Sequence, residues 1–292
     1  MSDLEQTAIE RLRAASDMSL RLFEKPLVIT YSGGKDSDVM LHLAEKSGIP
    51  FEARHSLTTA DAPETVRHVY DTFRRLEEKG VKCTVDKHVQ PDGNRVTMWN
   101  LIPRKLIPPT RWARYCCAEL KEGGGKGRFI ATGVRWAEST ARRKNRGRLE
   151  VLHSNRQKSL ILANDNEEGR RLFETCQMKG QRVVNPIIDW QDDDVLDYAA
   201  VEKIPMNPLY CEGFHRVGCV GCPMASKARA MEFARYPKIK AAYIRAFDTM
   251  LKERRKRGLP CQWQSSVDVF HWWMEDGVLP GQEVLDGFEE DI

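Results

Sequence analysis

Between residues 27 and 132 short apolar runs alternate with longer stretches of helical spacing. Leu27-Val28-Ile29-Thr30-Tyr31 is a compact apolar run that stops at two glycines, which predicts a buried strand. Asp36 to Lys46 then places Val39, Met40, Leu43 and Ala44 on one helical face. Phe51 to Leu57 predicts a second strand, and Pro63 to Lys79 a helix with proline in its first turn. Val81 to Val89 and Phe129 to Thr132 predict two more strands, and an amphipathic helix precedes them all. Strands separated by helices imply an α/β fold, with a mostly parallel sheet covered on both faces. Near Asn207 the texture changes. Cysteine, glycine and proline crowd together until Pro223, and helices follow at Lys227 to Arg235, Lys238 to Arg257 and Val267 to Glu275. The expected division is therefore residues 1–206 as a nucleotide-binding unit and 207–292 as a cysteine segment with a helical extension. Trp272 and Trp273 are expected to pack in its core.

Composition narrows the class. The 292 residues are 41% hydrophobic and 30% charged, the balance of an ordinary globular protein. No apolar run is long enough to cross a bilayer, and Asp3, Glu5, Glu10, Arg11 and Arg13 interrupt the first 21 residues. A soluble cytoplasmic protein with no membrane partner is expected. The net charge of +4 does not by itself imply a nucleic-acid partner. Its distribution is more telling, because Arg142, Arg143, Lys144, Arg146 and Arg148 form one dense basic run. Such runs are most often solvated faces, and this one is the candidate contact for a nucleic-acid acceptor. Lys252 to Arg257 is a second basic run, and the last ten residues are acidic.

The chemistry begins at Ser32-Gly33-Gly34-Lys35-Asp36-Ser37, between a predicted strand and a predicted helix. Glycines let backbone fold closely around an anion, and the free N–H groups of the first helical turn point at it. Ser32 and Ser37 add hydroxyls, Lys35 adds charge, and Asp36 is placed to hold Mg²⁺ between phosphates. Eight cysteines are the second feature, and in a cytoplasmic chain clustered cysteines indicate metal or catalysis rather than disulfides. Cys116-Cys117 and Cys219-Val220-Gly221-Cys222 together supply the four thiolates that zinc or an iron–sulfur centre takes. Cys83 and Cys176 sit in apolar settings and read as small core residues.

The hexapeptide resembles the PP-loop of the ATP pyrophosphatases, in the branch that contains the phosphoadenosine-phosphosulfate (PAPS) reductases. Further segments are similar to that branch in order. They are Thr58 to Thr65 with Asp61, Thr132-Gly133-Val134-Arg135-Trp136-Ala137-Glu138-Ser139, Asn185 to Trp190, and Asn207-Pro208-Leu209-Tyr210. The resemblance spans roughly residues 25 to 225. It implies an adenine nucleotide alpha-hydrolase-like, doubly wound sheet with ATP over its carboxyl edge. Gly133 and Arg135 then approach the nucleotide, and Asp36 with Asp61 positions Mg²⁺; the independent reading of Asp61 is a cap for the helix beginning near Pro63. The paired cysteines resemble the iron–sulfur subset, near the DNA phosphorothioation enzymes. This implies a [4Fe-4S] cluster on Cys116, Cys117, Cys219 and Cys222, with Cys211 as a possible substitute ligand.

Two chemistries are compatible with the resemblance. Sulfonucleotide reductases use a cysteine in a Glu-Cys-Gly-(Leu/Ile)-His setting, which does not occur in these 292 residues; Cys261 reads as structural. Their loops also tend to lack the Lys-Asp-Ser half, which is intact here. The favoured expectation is an ATP pyrophosphatase with Lys35, Asp36 and Arg135 as catalytic residues. It adenylates an acceptor for sulfur transfer, with a sulfur-donor protein as partner. Reduction of adenylyl sulfate or PAPS is the alternative. A non-catalytic nucleotide-binding partner subunit is a third reading. The small subunit of sulfate adenylyltransferase, which has such a loop, ranks lower for want of the four cysteines.

Overall fold

The computed structural model describes residues 2–275, apart from 91–92, 122–124, 126, 154–158, 167–170, 172 and 174–179. Cys176 and the acidic C-terminal residues lie outside the described residues. Seven strands form one sheet: β1 Leu27–Thr30, β2 Phe51–Ser56, β3 Lys82–Asp86, β4 Phe129–Ala131, β5 Leu149–Leu152, β6 Leu160–Leu162 and β7 Gln181–Val184. Their spatial order is β3-β2-β1-β4-β7-β5-β6. The five strands from β3 to β7 are parallel, while β5 runs antiparallel to both β7 and β6. This is the mostly parallel, helix-flanked sheet expected from the sequence. The order reverses at β1, and the β1–β4 boundary is where an open α/β sheet leaves a crevice for a ligand.

Helices α1 Ser2–Phe23, α2 Lys35–Ser47 and α3 Pro63–Glu78 flank the sheet. Val39, Met40, Leu43 and Ala44 are fully buried, as their spacing predicts. Further along lie α4 Met98–Lys105, α5 Tyr115–Leu120, α6 Thr140–Asn145 and α7 Asp192–Val201. The tail adds α8 Ala228–Arg235, α9 Pro237–Lys256 and α10 Ser266–Met274. Among the described residues no helix is long and apolar enough to cross a membrane.

A buried tie fixes the far end of the sheet. Arg11 on α1 forks onto Asp189, at 2.8 and 2.7 Å, and donates to the Pro186 carbonyl at 2.8 Å. Burial opposes ionisation of Asp189. The Arg11 hydrogen bonds overcome it and hold the carboxyl below its usual range. The segment leading from β7 to α7 is thereby fixed against α1.

The hydrophobic residues fall into two clusters. One lies around the sheet. The other joins Leu209, Phe233, Tyr243, Phe247 and Trp273 to Ala60, Ala62, Met98, Leu101 and Ile102. The second cluster thus draws on both sides of residue 207. It carries the cysteine segment on the same scaffold as the loop after β2. Trp273 is buried within an aromatic group, 4.7 Å from Tyr243 and 5.3 Å from Phe247 between ring centres.

Candidate active site

The glycine loop leaves β1 and enters α2 over the carboxyl edge of the sheet. Gly33 has φ +78°, and a Cβ there would meet Val69 at 3.0 Å and Thr65 at 3.1 Å, so glycine is required twice over. Ser37 organises the loop from within. Its hydroxyl accepts from the N–H of Gly34 at 3.1 Å and of Ser32 at 3.3 Å, and donates to Gly34 O at 2.8 Å. Gly133, in the turn after β4, lets that turn rest on the loop. A Cβ there would lie 3.1 Å from the Asp36 carbonyl group.

Four charged side chains lock together beside the loop. Arg135, almost wholly buried, donates to Asp36 Oδ1 and Asp192 Oδ1 at 2.6 Å each, and to the Trp190 carbonyl at 3.2 Å. Lys35 Nζ lies 2.6 Å from Asp192 and 3.9 Å from Asp36. Lys35 and then Arg135 hold the Asp192 carboxyl below the usual range. Arg135 therefore clamps the loop to α7 rather than projecting into solvent. Asp192 was invisible to sequence reasoning. Asp192-Asp193-Asp194 is an ordinary acidic first turn of a helix, and only the fold shows that its first member meets Lys35.

The segment from Asn207 to Cys222 lies directly on the loop. Buried Asn207 donates to Gly33 O at 2.8 Å and to Thr65 Oγ1 at 3.1 Å. The Tyr210 hydroxyl accepts from the Lys35 N–H at 2.9 Å, and burial pushes that hydroxyl up to about 12. Sequence reasoning treated Asn207 and Tyr210 as landmarks without assigning them this grip on the loop.

Further along, Cys219 pairs with Asp61 as an antiparallel bridge, and Val220 N donates to Ala60 O at 2.8 Å. Asp61 accepts from Thr58 N–H at 2.8 Å and faces Cys219 Sγ at 3.9 Å. It does not cap α3, whose N-cap is Ala62, and it shares no hydrogen bond or ion pair with Asp36. Asp61 thus contacts the cysteine segment, while Asp36 contacts Arg135.

Both cysteine pairs reach one neighbourhood. Arg114 interacts with Cys117, Cys222 and Cys116, and Lys121 with Cys219, Cys117 and Cys222. The hydrogen bond from Cys116 lowers Cys117, with Arg114 adding to the effect, while the same bond and burial raise Cys116. Burial raises Cys219, whose Sγ lies 3.3 Å from the Thr58 hydroxyl. Cys116 also interacts with Cys219 and Cys222, so the two pairs feel one another. Among the described residues no group of three or more histidine, cysteine or acidic side chains is gathered tightly enough to hold a metal ion. Cys211, on the short helix Pro208–Glu212, is exposed. Cys83 and Cys261 are half-buried, and burial raises the Cys83 thiol to about 12.

Three members of the basic run are paired with acids of the chain. Arg148 reaches Asp165 at 3.0 Å and Asp189 at 3.4 Å, and Arg146 binds the fully buried Glu150 at 2.9 Å. Arg142 pairs with Glu138, which also accepts from the Arg135 N–H at 2.9 Å. Arg143 and Lys144 stay exposed. Three of the five side chains are thus paired within the chain.

Residues 26–225 match the phosphoadenosine phosphosulfate reductase domain. The chain belongs to that family. Similar curated proteins include sulfate adenylyltransferase subunit 2 of Rhodopseudomonas palustris (strain BisB18), 30% identical over 69% of this chain and 61% of its own. The same subunit of Streptomyces lavendulae is 33% identical over 64% of this chain and 57% of its own. The match thus spans about three fifths of those relatives. A PAPS reductase from Candida auris superposes with TM-score 0.44 at 16% identity, covering 75% of this chain and 93% of that one. The U34-tRNA thiolase NcsA from Methanococcus maripaludis, solved with its [4Fe-4S] cluster, gives 0.43 at 16%, covering 88% and 82%. The family is enzymatic and its fold binds nucleotides.

Proposed function

We propose that this member of the family is an ATP pyrophosphatase that adenylates an acceptor and so prepares it for sulfur transfer. The observation that carries the reading is the complete loop, with Lys35 and Asp36 held at its mouth by Arg135 and Asp192. An acceptor oxygen attacks the α-phosphorus of ATP, the α–β bridging bond breaks, and pyrophosphate leaves with the electron pair. The loop N–H groups and Lys35 stabilise the charge that grows on the leaving group. Asp36 is the carboxylate placed to hold Mg²⁺ against the phosphates. A sulfur nucleophile then displaces AMP from the acceptor. The relatives named for adenylyl transfer to sulfate support adenylation over sulfonucleotide reduction.

The cysteine donors suit a [4Fe-4S] cluster in kind and neighbourhood, and Cys116, Cys117, Cys219 and Cys222 would hold it. When bound, such a cluster supplies a place for incoming sulfur. Anaerobically purified protein is expected to absorb broadly at the blue end of the visible range, and Cys222→Ser to lose that band. Stoichiometric zinc without the band would overturn the assignment. The favoured acceptor is a nucleic acid, with a sulfur-donor protein as partner. The second reading, supported by the curated relatives, is sulfate as acceptor within a two-subunit enzyme.

The decisive assay is pyrophosphate release from ATP and Mg²⁺, with either a nucleic acid or sulfate added. Wild type is expected to release pyrophosphate and Asp36→Ala to release none. Thiol-dependent release of sulfite from adenylyl sulfate or PAPS would replace adenylation with reduction, and nucleotide binding with neither product would leave a binding subunit. Tyr210→Phe is a subtler probe. The Lys35 N–H must give up its bond to Tyr210 before it donates to a phosphate. With such a bond worth about 0.5–1.5 kcal/mol net, the variant is expected to bind inorganic pyrophosphate roughly two- to tenfold more tightly by calorimetry.

A further inference from the structure

Residues 106–114 form a strap between α4 and α5, tied down at three points. Arg254 donates to Leu106 O at 2.7 Å, Tyr115 to Ile107 O at 2.6 Å, and buried Trp273 to Pro109 O at 2.6 Å. The middle of the strap is a closed turn. Ala113 N–H donates to Thr110 Oγ1 at 2.9 Å, and Thr110 N–H to Ala113 O at 3.3 Å. Trp112 stands on this turn with 90% of its surface exposed. Among the described residues the next most exposed large apolar side chain, Val201, reaches 64%. Exposed aliphatic residues are ordinary, but an indole held in water on a thrice-anchored turn forgoes a large apolar burial.

The charges around it are of one sign. Arg111 hydrogen-bonds the Ser226 hydroxyl, four residues beyond Cys222, and Arg114 Nη2 lies 3.5 Å from Cys117 Sγ. The strap thus spans both cysteine segments. From residue 104 to 121 Arg104, Lys105, Arg111, Arg114 and Lys121 face one described acid, Glu119, which Lys105 neutralises at 2.8 Å. A protein-docking patch is expected to surround its aromatic anchor with further apolar surface. Here Arg111 precedes Trp112 directly and Arg114 follows it across Ala113.

We propose that Trp112, flanked by Arg111 and Arg114, is a stacking platform for an unpaired base of a nucleic acid. It would hold that strand at the lip of the cysteine neighbourhood. Every base has a π-face, so an indole accepts it without reading sequence, and the two guanidinium groups meet the adjoining phosphates. The inference rests on the nucleic-acid acceptor proposed above. It moves the contact away from the Arg142–Arg148 run, whose members are largely spent on internal pairs.

The test is titration of the full chain with a short labelled single-stranded oligonucleotide, at low and at physiological salt. Pyrophosphate release is followed in parallel. Wild type and Trp112→Phe are expected to bind comparably, since both present an aromatic face. Trp112→Ala is expected to bind roughly five- to a hundredfold more weakly, the usual effect of removing one stacking partner. Arg111→Ala with Arg114→Ala is expected to flatten the salt dependence. An unchanged melting temperature shows that the variants fold. Equal affinity of wild type and Trp112→Ala overturns the inference whatever the nucleotide assay gives. A wild type that binds no strand, with Trp112 buried instead by a protein partner, overturns it too. Loss of binding in Trp112→Ala, with no pyrophosphate released by wild type, removes the adenylation reading and leaves the platform standing.

Discussion

Gly221→Ala is expected to lose roughly 2–4 kcal/mol of folding stability, read as a fall in the denaturant midpoint with an unchanged slope. Two effects add. Gly221 has φ +74°, where an L side chain is strained, and a new Cβ would sit 2.2 Å from Phe233 Cζ. Phe233 has nowhere to retreat, because its ring lies 5.8 Å from Tyr243, 5.3 Å from Phe270 and 5.9 Å from Trp273. The Gly221 N–H also donates to Glu232 at 2.6 Å, a bond the displaced turn would stretch. Because Gly221 lies between Cys219 and Cys222, the loss of packing should also loosen the cysteine segment, seen as faster alkylation of Cys222. Gly218→Ala is the control. A Cβ there meets nothing within 4 Å, so its midpoint should stay near wild type.

Lys35→Ala is expected to lower the turnover of pyrophosphate release about 10²–10³-fold, with a smaller change in KM. The ammonium is aimed by Asp192 at 2.6 Å and stands at the first turn of α2, where the helix N-terminus already favours negative charge. Its charge is most valuable when the leaving group gains its own. Asp192→Asn keeps Lys35 but weakens its aim, and is expected to cost less than Lys35→Ala. A turnover for Lys35→Ala equal to that of wild type would mean that Lys35 is only a structural partner of Asp192.

The loop was legible because its chemistry is local. Strand, two glycines and helix start are contiguous in sequence, and the order of contiguous groups already implies an anion cradle. The four parallel strands read from local patterning are present for the same reason, from the wholly apolar, buried β1 to the alternating β2 and the half-buried β3. The antiparallel edge of β5 and β6 and the short β7 were not read. β6 is three residues long and partly exposed, and Gln181-Arg182 opens β7 with polar side chains, so neither carries a strand signature. Buried Arg182 donates to the Phe173 carbonyl at 3.0 Å and lies 4.9 Å from the centre of the Phe173 ring, contacts no periodicity announces.

By itself the amino-acid sequence determined the class of sheet, the anion loop and the two cysteine pairs, all features whose signal lies within a few consecutive residues. Tertiary structure decided which of their groups meet. It brought Asp192 to Lys35, turned Arg135 inward as a clamp, moved Asp61 to Cys219, and laid Tyr210 on the loop that the cysteines flank. It also tied Arg146 and Arg148 to acids of the same chain and left Trp112 exposed. The physical reason is the same throughout. A charge or an aromatic ring acts according to its neighbours in space, and those neighbours can be far along the chain, 178 residues for Arg11 and Asp189.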